Sequence, residues 1–124
     1  MLDWELATIG HPLADLAYNC LPYRLVSGLP GIPGLADVDI ASLGIPSERE
    51  LVDAYCARSG RSGIPDWNFY LAFALFRTAA ILQGIYARAL QNNAANDNAM
   101  EVGRNAAYVA SVGWACARGS APLT

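Results

Sequence analysis

Leu2-Asp3-Trp4-Glu5-Leu6-Ala7-Thr8-Ile9-Gly10-His11-Pro12-Leu13-Ala14-Asp15-Leu16-Ala17-Tyr18 is the stretch around which the 124-residue chain is organised. Leu2 to Leu6 alternates apolar and polar side chains, the period of a short strand. Gly10-His11-Pro12 breaks that strand and starts a helix, with Pro12 where no backbone N–H is needed. Leu13, Leu16, Ala17, Cys20 and Leu21 then recur at i, i+3, i+4, i+7 and i+8, which places them on one buried face. Asp15 lies off that face, in line with Tyr18 and Asn19. Asp3 and Glu5 therefore share one side of a strand, and a third carboxylate, Asp15, projects from the helix that follows.

This stretch resembles the aminoglycoside phosphotransferase-like kinases, in the branch also found fused to acyl-CoA dehydrogenases. The pattern of that branch is roughly [IVL]-D-W-E-x-A-x-x-G-[DH]-P-x-x-D-L-A, which Leu2 to Ala17 follow. The resemblance implies that Asp3 is a magnesium ligand, that Glu5 is the second acid of a D-x-E pair, and that Asp15 braces the catalytic loop from the next helix. His11 stands where Asp is common. The chemistry is consistent with those roles. Magnesium takes hard carboxylate oxygens and leaves positions for phosphates and water, and in phosphoryl transfer it neutralises charge on the phosphates. The resemblance thus implies ATP and Mg2+ as cofactors and a small-molecule hydroxyl as acceptor. Without it, an Asp at a strand end followed by a capped helix is common in any α/β protein.

The rest of a kinase active site is not in these residues. The catalytic loop of that family, of H-G-D-x-x-x-x-N type, should precede Asp3. His11 is the only histidine and is followed by Pro12 and Leu13, so no His-x-Asp exists. All eight basic residues are arginines, so neither a kinase strand lysine nor a P-loop lysine is available. Gly28, Gly31 and Gly34 have the wrong spacing for a G-x-G-x-x-G loop, and Pro30 and Pro33 interrupt them. The chain reads as the C-terminal part of a kinase-like protein, cut within its C-lobe. It is expected to lack phosphotransferase activity by itself.

Composition narrows the remaining classes. The residues are 54% hydrophobic and 15% charged, with mean hydropathy +0.24 and a net charge of −3. That balance argues against an electrostatic nucleic-acid surface. Cys20, Cys56 and Cys116 lie far apart among apolar neighbours, which favours buried free thiols in a reducing, cytoplasmic setting. No signal peptide stands out. Phe69 to Ala89 is the most apolar run, but Arg77, Gln83 and Arg88 interrupt it and make it a poor membrane span.

Three further helices are expected. Pro22 should end the first near Leu21. Gly28 to Ala36 reads as a Gly/Pro loop, the segment expected to be most mobile. Ser47-Glu48-Arg49-Glu50 is a capping box that starts the second helix, whose buried face is Leu51, Val52, Tyr55 and Cys56. Gly60 closes it with a left-handed cap. Asp66 is the expected N-cap of a third helix, Trp67 to Gln91. Apolar side chains surround most of that helix, so it reads as the central buried one, with its aromatic residues in the core. Arg77, Gly84 and Arg88 form one stripe, where Gly84 permits close backbone approach. Arg77 is a candidate for an anionic substrate; the preferred alternative pairs it with Asp15 or Asp53, because a buried arginine needs a partner. Asn98 and Glu101 can cap a fourth helix running to Arg118, with Val102, Ala106, Val109, Gly113 and Cys116 facing inward.

These readings converge on a mainly α domain over residues 1–124: the four-helix C-lobe subdomain of a kinase-like fold, with a short N-terminal strand. The candidate site residues are Asp3 and Glu5 for metal, Asp15 for loop positioning, and Tyr18 and Arg77 on the substrate side. The competing class is a non-catalytic helical interaction module. No nucleic-acid or membrane partner is expected. The open strand and uncovered helix faces predict self-association, most simply as a two-fold dimer.

Overall fold

A computed structural model of the chain describes residues 9–91 and 98–119. The expected N-terminal strand, with Asp3 and Glu5, lies outside the described residues. Within them the fold is helical, and no strand occurs.

Helix α1 spans Pro12–Asn19. His11 caps it: the Leu13 N–H donates to His11 Nδ1 at 3.3 Å. The expected buried face is the observed one, with Leu13, Leu16, Ala17, Cys20 and Leu21 all in the core. Pro22 stops the α-helix, and the chain tightens into a 3₁₀ turn over Leu21–Arg24. Residues 25–47 then form turns without regular structure. This connection was the segment expected to be most mobile, yet it is tied down along its length. The Leu35 and Ala36 N–H groups donate to the Pro22 and Leu25 carbonyls at 2.7 and 3.0 Å. The Val26 N–H donates to the Tyr108 hydroxyl at 3.1 Å, and the Tyr23 hydroxyl donates to the Pro46 carbonyl at 2.8 Å.

Helix α2, Glu48–Ser59, carries the full capping box and ends on Gly60 at φ 70°. Helix α3, Trp67–Leu90, is the element against which α1, α4 and α5 pack. Its start differs from expectation. Asp66 does precede the helix, but at φ 59° in the left-handed region, and its side chain makes no capping hydrogen bond. The expected fourth helix is two: α4, Ala99–Arg104, and α5, Ala106–Ala117. They meet at Asn105, whose side chain turns away to donate to the Pro30 carbonyl at 3.2 Å. Asn98 makes no side-chain cap. The inward face of α4 and α5 is as expected, with Ala106, Val109, Gly113 and Cys116 buried and Val102 partly buried against the core.

Two expectations for α3 are overturned. It is not buried all round. Leu71, Ala74, Leu75, Ala79 and Leu82 face the core, while Phe69, Phe73, Phe76 and Ile81 are exposed. Apolar residues on every side predict complete burial, but here neighbours cover only part of the circumference. By length and composition alone α3 could cross a membrane. The close approach of helices is also not at Gly84, where an added Cβ would meet only the Arg88 guanidinium at 3.5 Å. It is at Gly103 and Gly113. A Cβ on Gly103 would lie 2.6 Å from Tyr86 Cβ and 2.7 Å from its Cα, and one on Gly113 would lie 3.1 Å from Leu75 Cβ. These two glycines let α4 and α5 sit directly on α3.

Candidate functional site

The capped start of α1 sets the position of the predicted site residues on it. His11 stacks on Tyr70 of α3, with ring centroids 5.4 Å apart and planes 22° from parallel. One turn on, Asp15 is exposed. Its backbone carbonyl accepts a hydrogen bond from Asn19 Nδ2 at 3.1 Å, and its carboxylate has no partner among the described residues. A carboxylate in the first turn is favoured by the helix dipole without needing a side-chain partner. Tyr18 follows on the same face, and the Arg77 guanidinium of α3 sits 6.0 Å from its ring centroid. Arg77 is exposed and pairs with neither Asp15 nor Asp53, which corrects the preferred sequence reading. The geometry instead sets Arg77 against Tyr18 across the α1–α3 contact, with Asp15 one turn earlier on α1.

Beside them a cavity of about 390 Å³ opens between α1, the 3₁₀ turn, α3 and the Gly/Pro loop. Leu21, Leu25, Ile32, Leu82 and Ile85 give it apolar walls, and Tyr18, Asn19 and Thr78 supply the polar groups. Among the described residues, no charged side chain lines it. Pockets that hold small molecules commonly combine such walls with a few polar groups. Metal ligands are another matter. Among the described residues no group of three or more His, Cys, Asp or Glu side chains is placed to hold an ion. The magnesium assignment therefore rests on Asp3 and Glu5 alone.

The buried arginine is Arg24, which sequence reasoning had passed over. Its Nε donates to Glu48 Oε2 at 2.7 Å and its Nη2 to Glu48 Oε1 at 2.9 Å, a two-pronged pair. Trp67 Nε1 adds a third bond to Glu48 Oε1 at 2.8 Å. Glu48 opens α2, Trp67 opens α3 and Arg24 ends the 3₁₀ turn, so one carboxylate fixes three elements. Burial, reinforced by the Glu48 charge, pushes the Cys20 thiol up to about 12. Burial raises Cys116 as well. All three cysteines are free and buried, so none is poised as a nucleophile. A sequence signal for the pair did exist: the first residue after the Ser47 cap is an acid, and Arg24 lies in an otherwise apolar Leu21–Val26 run.

No family model matches the sequence. The chain is 46% identical over 114 residues to mouse acyl-CoA dehydrogenase family member 10, covering 92% of this chain and 11% of that protein. It is 45% identical over 100 residues to human acyl-CoA dehydrogenase family member 11, covering 79% of this chain and 13% of the relative. In three dimensions it superposes on a "putative aminoglycoside phosphotransferase" from Ralstonia eutropha with a TM-score of 0.85 and 42% identity. That match takes in 98% of this chain and 36% of the other. The chain thus spans about a third of its structural neighbour and about a tenth of the curated relatives. The likeness first visible in Leu2–Ala17 extends over nearly all of these helices, and the chain has the helical fold of part of an aminoglycoside phosphotransferase-like protein.

Proposed function

We propose that the protein to which these helices belong transfers the γ-phosphate of ATP to a hydroxyl group of a small molecule, and that residues 1–124 alone do not. The observation that carries this reading is the superposition over 98% of the chain on a phosphotransferase-type neighbour. Asp3 and Glu5 would hold magnesium, whose charge stabilises the phosphates during transfer. No described residue adds a ligand, so nothing more is assigned to the ion. Asp15 positions the catalytic loop from the exposed edge of α1. Tyr18 and Arg77 stand on the acceptor side, next to the apolar cavity. Among the described residues that line it, the cavity has no carboxylate with which to hold a polycationic amino sugar. A hydroxy compound with a hydrocarbon body is the acceptor class that fits it. Three buried thiols suit a reducing compartment such as the cytoplasm.

The 124-residue chain offers no lysine for the nucleotide and no His-x-Asp loop. Positioning and charge neutralisation are nearly all that such enzymes contribute. The test compares this chain with the longest natural polypeptide that contains it, assayed for ATP-dependent phosphorylation of a panel of hydroxy compounds. The short chain is expected to be silent. The longer protein is expected to turn over and to lose turnover in Asp3→Ala with its fold intact. Activity in the short chain, or wild-type kcat in Asp3→Ala at saturating magnesium, would overturn the assignment.

A further inference from the structure

The junction of α4 and α5 reaches across to the Gly/Pro loop. Asn105, where the two helices meet, donates from Nδ2 to the Pro30 carbonyl at 3.2 Å. Tyr108 lies three residues on, on the same side of the helix, and its hydroxyl accepts the Val26 N–H at 3.1 Å. The loop also closes on itself, since a Cβ on Gly34 would run into the Val26 carbonyl. Between these anchors Gly31, at φ 69°, lies against α4, where a Cβ would come within 2.9 Å of Val102 Cγ2. Gly31, Ile32 and Val102 all line the cavity of about 390 Å³, and Ile32 is only 9% exposed. The loop is thus one wall of that cavity. Residues 25–47 have no helix or strand to hold them, so the wall takes its position from α4 and α5.

We infer that Asn105 and Tyr108 are positioning residues of the acceptor cavity, and that the wall they hold, where Gly31 meets Val102, limits the length of hydrocarbon the cavity takes. The inference rests on the phosphoryl-transfer reading only for naming the ligand as the acceptor. A binding site keeps its dimensions when the groups around it are locked by hydrogen bonds to rigid elements, and a helix pair supplies that rigidity to an irregular loop. An apolar cavity of about 150 Å³ holds a benzene ring, so 390 Å³ has room for roughly twice that body. Each further methylene buried there gains about fourfold in affinity. The gain stops where a fixed wall stops the chain, and continues where the wall yields.

Titration of the 124-residue chain with straight-chain alcohols from butanol to decanol, followed by the amide shifts of Ile32 and Leu82, tests this. In the wild type affinity should rise along the series and then level off. Asn105→Asp keeps the side-chain shape but cannot donate, and Tyr108→Phe keeps the ring but cannot accept. With both substitutions and unchanged helicity, affinity should go on rising by about fourfold per methylene where the wild type is level. Val102→Ala, with both wall bonds intact, should move the levelling-off to longer chains without abolishing it. A loss of general stability would lower every affinity in proportion and leave the levelling-off in place. The single substitutions should give the same change in smaller measure, and they decide the matter if the double variant does not fold. The inference is overturned if the variants level off at the wild-type length, or if the wild type binds none of the series or does not level off. That result together with turnover in the longer protein refutes this role alone; the expected selectivity change without turnover refutes the phosphoryl-transfer reading alone.

Discussion

Replacing Glu48 by alanine should be the most damaging single truncation in the chain. The Glu48 carboxylate is fully buried and accepts two hydrogen bonds from Arg24 and one from Trp67. Its removal takes from a buried guanidinium, only 7% exposed, the carboxylate that accepts two of its hydrogen bonds, and from an indole N–H its acceptor. Breaking a buried ion pair from one side costs about 3–5 kcal/mol, because the surviving charge stays desolvated. Domains of this size are stable by about 5–15 kcal/mol in total, so the variant should approach the unfolding threshold at room temperature. Removing both charges is a different perturbation. Arg24→Met with Glu48→Leu deletes the desolvation cost along with the attraction, and should recover most of the loss. Urea unfolding followed by far-UV circular dichroism, at one fixed protein concentration because association shifts the apparent stability, measures both. The reasoning is refuted if Glu48→Ala lies within about 1 kcal/mol of wild type with an unchanged denaturant slope.

Gly103→Ala should destabilise by about 1–3 kcal/mol in the same assay, because the new methyl meets the Tyr86 backbone and α4 must lift from α3. Gly84→Ala, on α3, where the new methyl meets only the flexible Arg88 guanidinium at 3.5 Å, should instead be neutral or stabilising by up to about 1 kcal/mol. The buried thiols give a pH prediction. Cys20 ionises near its ordinary 9.0 in the unfolded chain but only at about 12 when folded. Its contribution is therefore complete below pH 9 and lost as pH rises from 9 towards 12. The urea midpoint should fall across that window, less so in Cys20→Ala, and an aromatic disulfide reagent at neutral pH should label no cysteine until the chain is unfolded.

Several local signals were legible, though the expected caps at Asp66 and Asn98 make no side-chain hydrogen bond. The Pro12 start, the Ser47–Glu50 box and the Gly60 cap involve residues within one turn of each other, and each is where the sequence puts it. The inward face of α1 was legible too, since its spacing has no competing reading. The larger failures depended on distant partners. Arg77 was assigned a carboxylate because it sits in an apolar run, yet it is exposed over Tyr18. The arginine that does need a carboxylate is Arg24, and its partner lies 24 residues away. No periodicity can pair a 3₁₀ turn with a helix start across an irregular loop. Gly84 and Gly103 are equally anonymous as letters; only the register of α4 on α3 decides which one is a contact.

The misjudged burial of α3 carries the most information. Its apolar residues occupy the whole circumference, and a helix of that kind is buried in a larger assembly or a membrane. Here α1, α4 and α5 cover one part of it, and three phenylalanines with Trp114 are left in water. The pattern is not noise, because the exposed residues keep the i, i+4, i+7 spacing of a packed face and adjoin a groove that no charged side chain lines among the described residues. A surface selected only for solubility would have placed polar or charged groups there, as it did at Arg104, Ser111 and Arg118 on the outer side of α4 and α5. The sequence therefore encodes two core faces on one helix, and the chain fills one of them. Whatever occupies the second face must match an aromatic ridge beside a small-residue trough. A charged substitution in that ridge should consequently alter assembly while leaving the first core, and the fold it holds, intact.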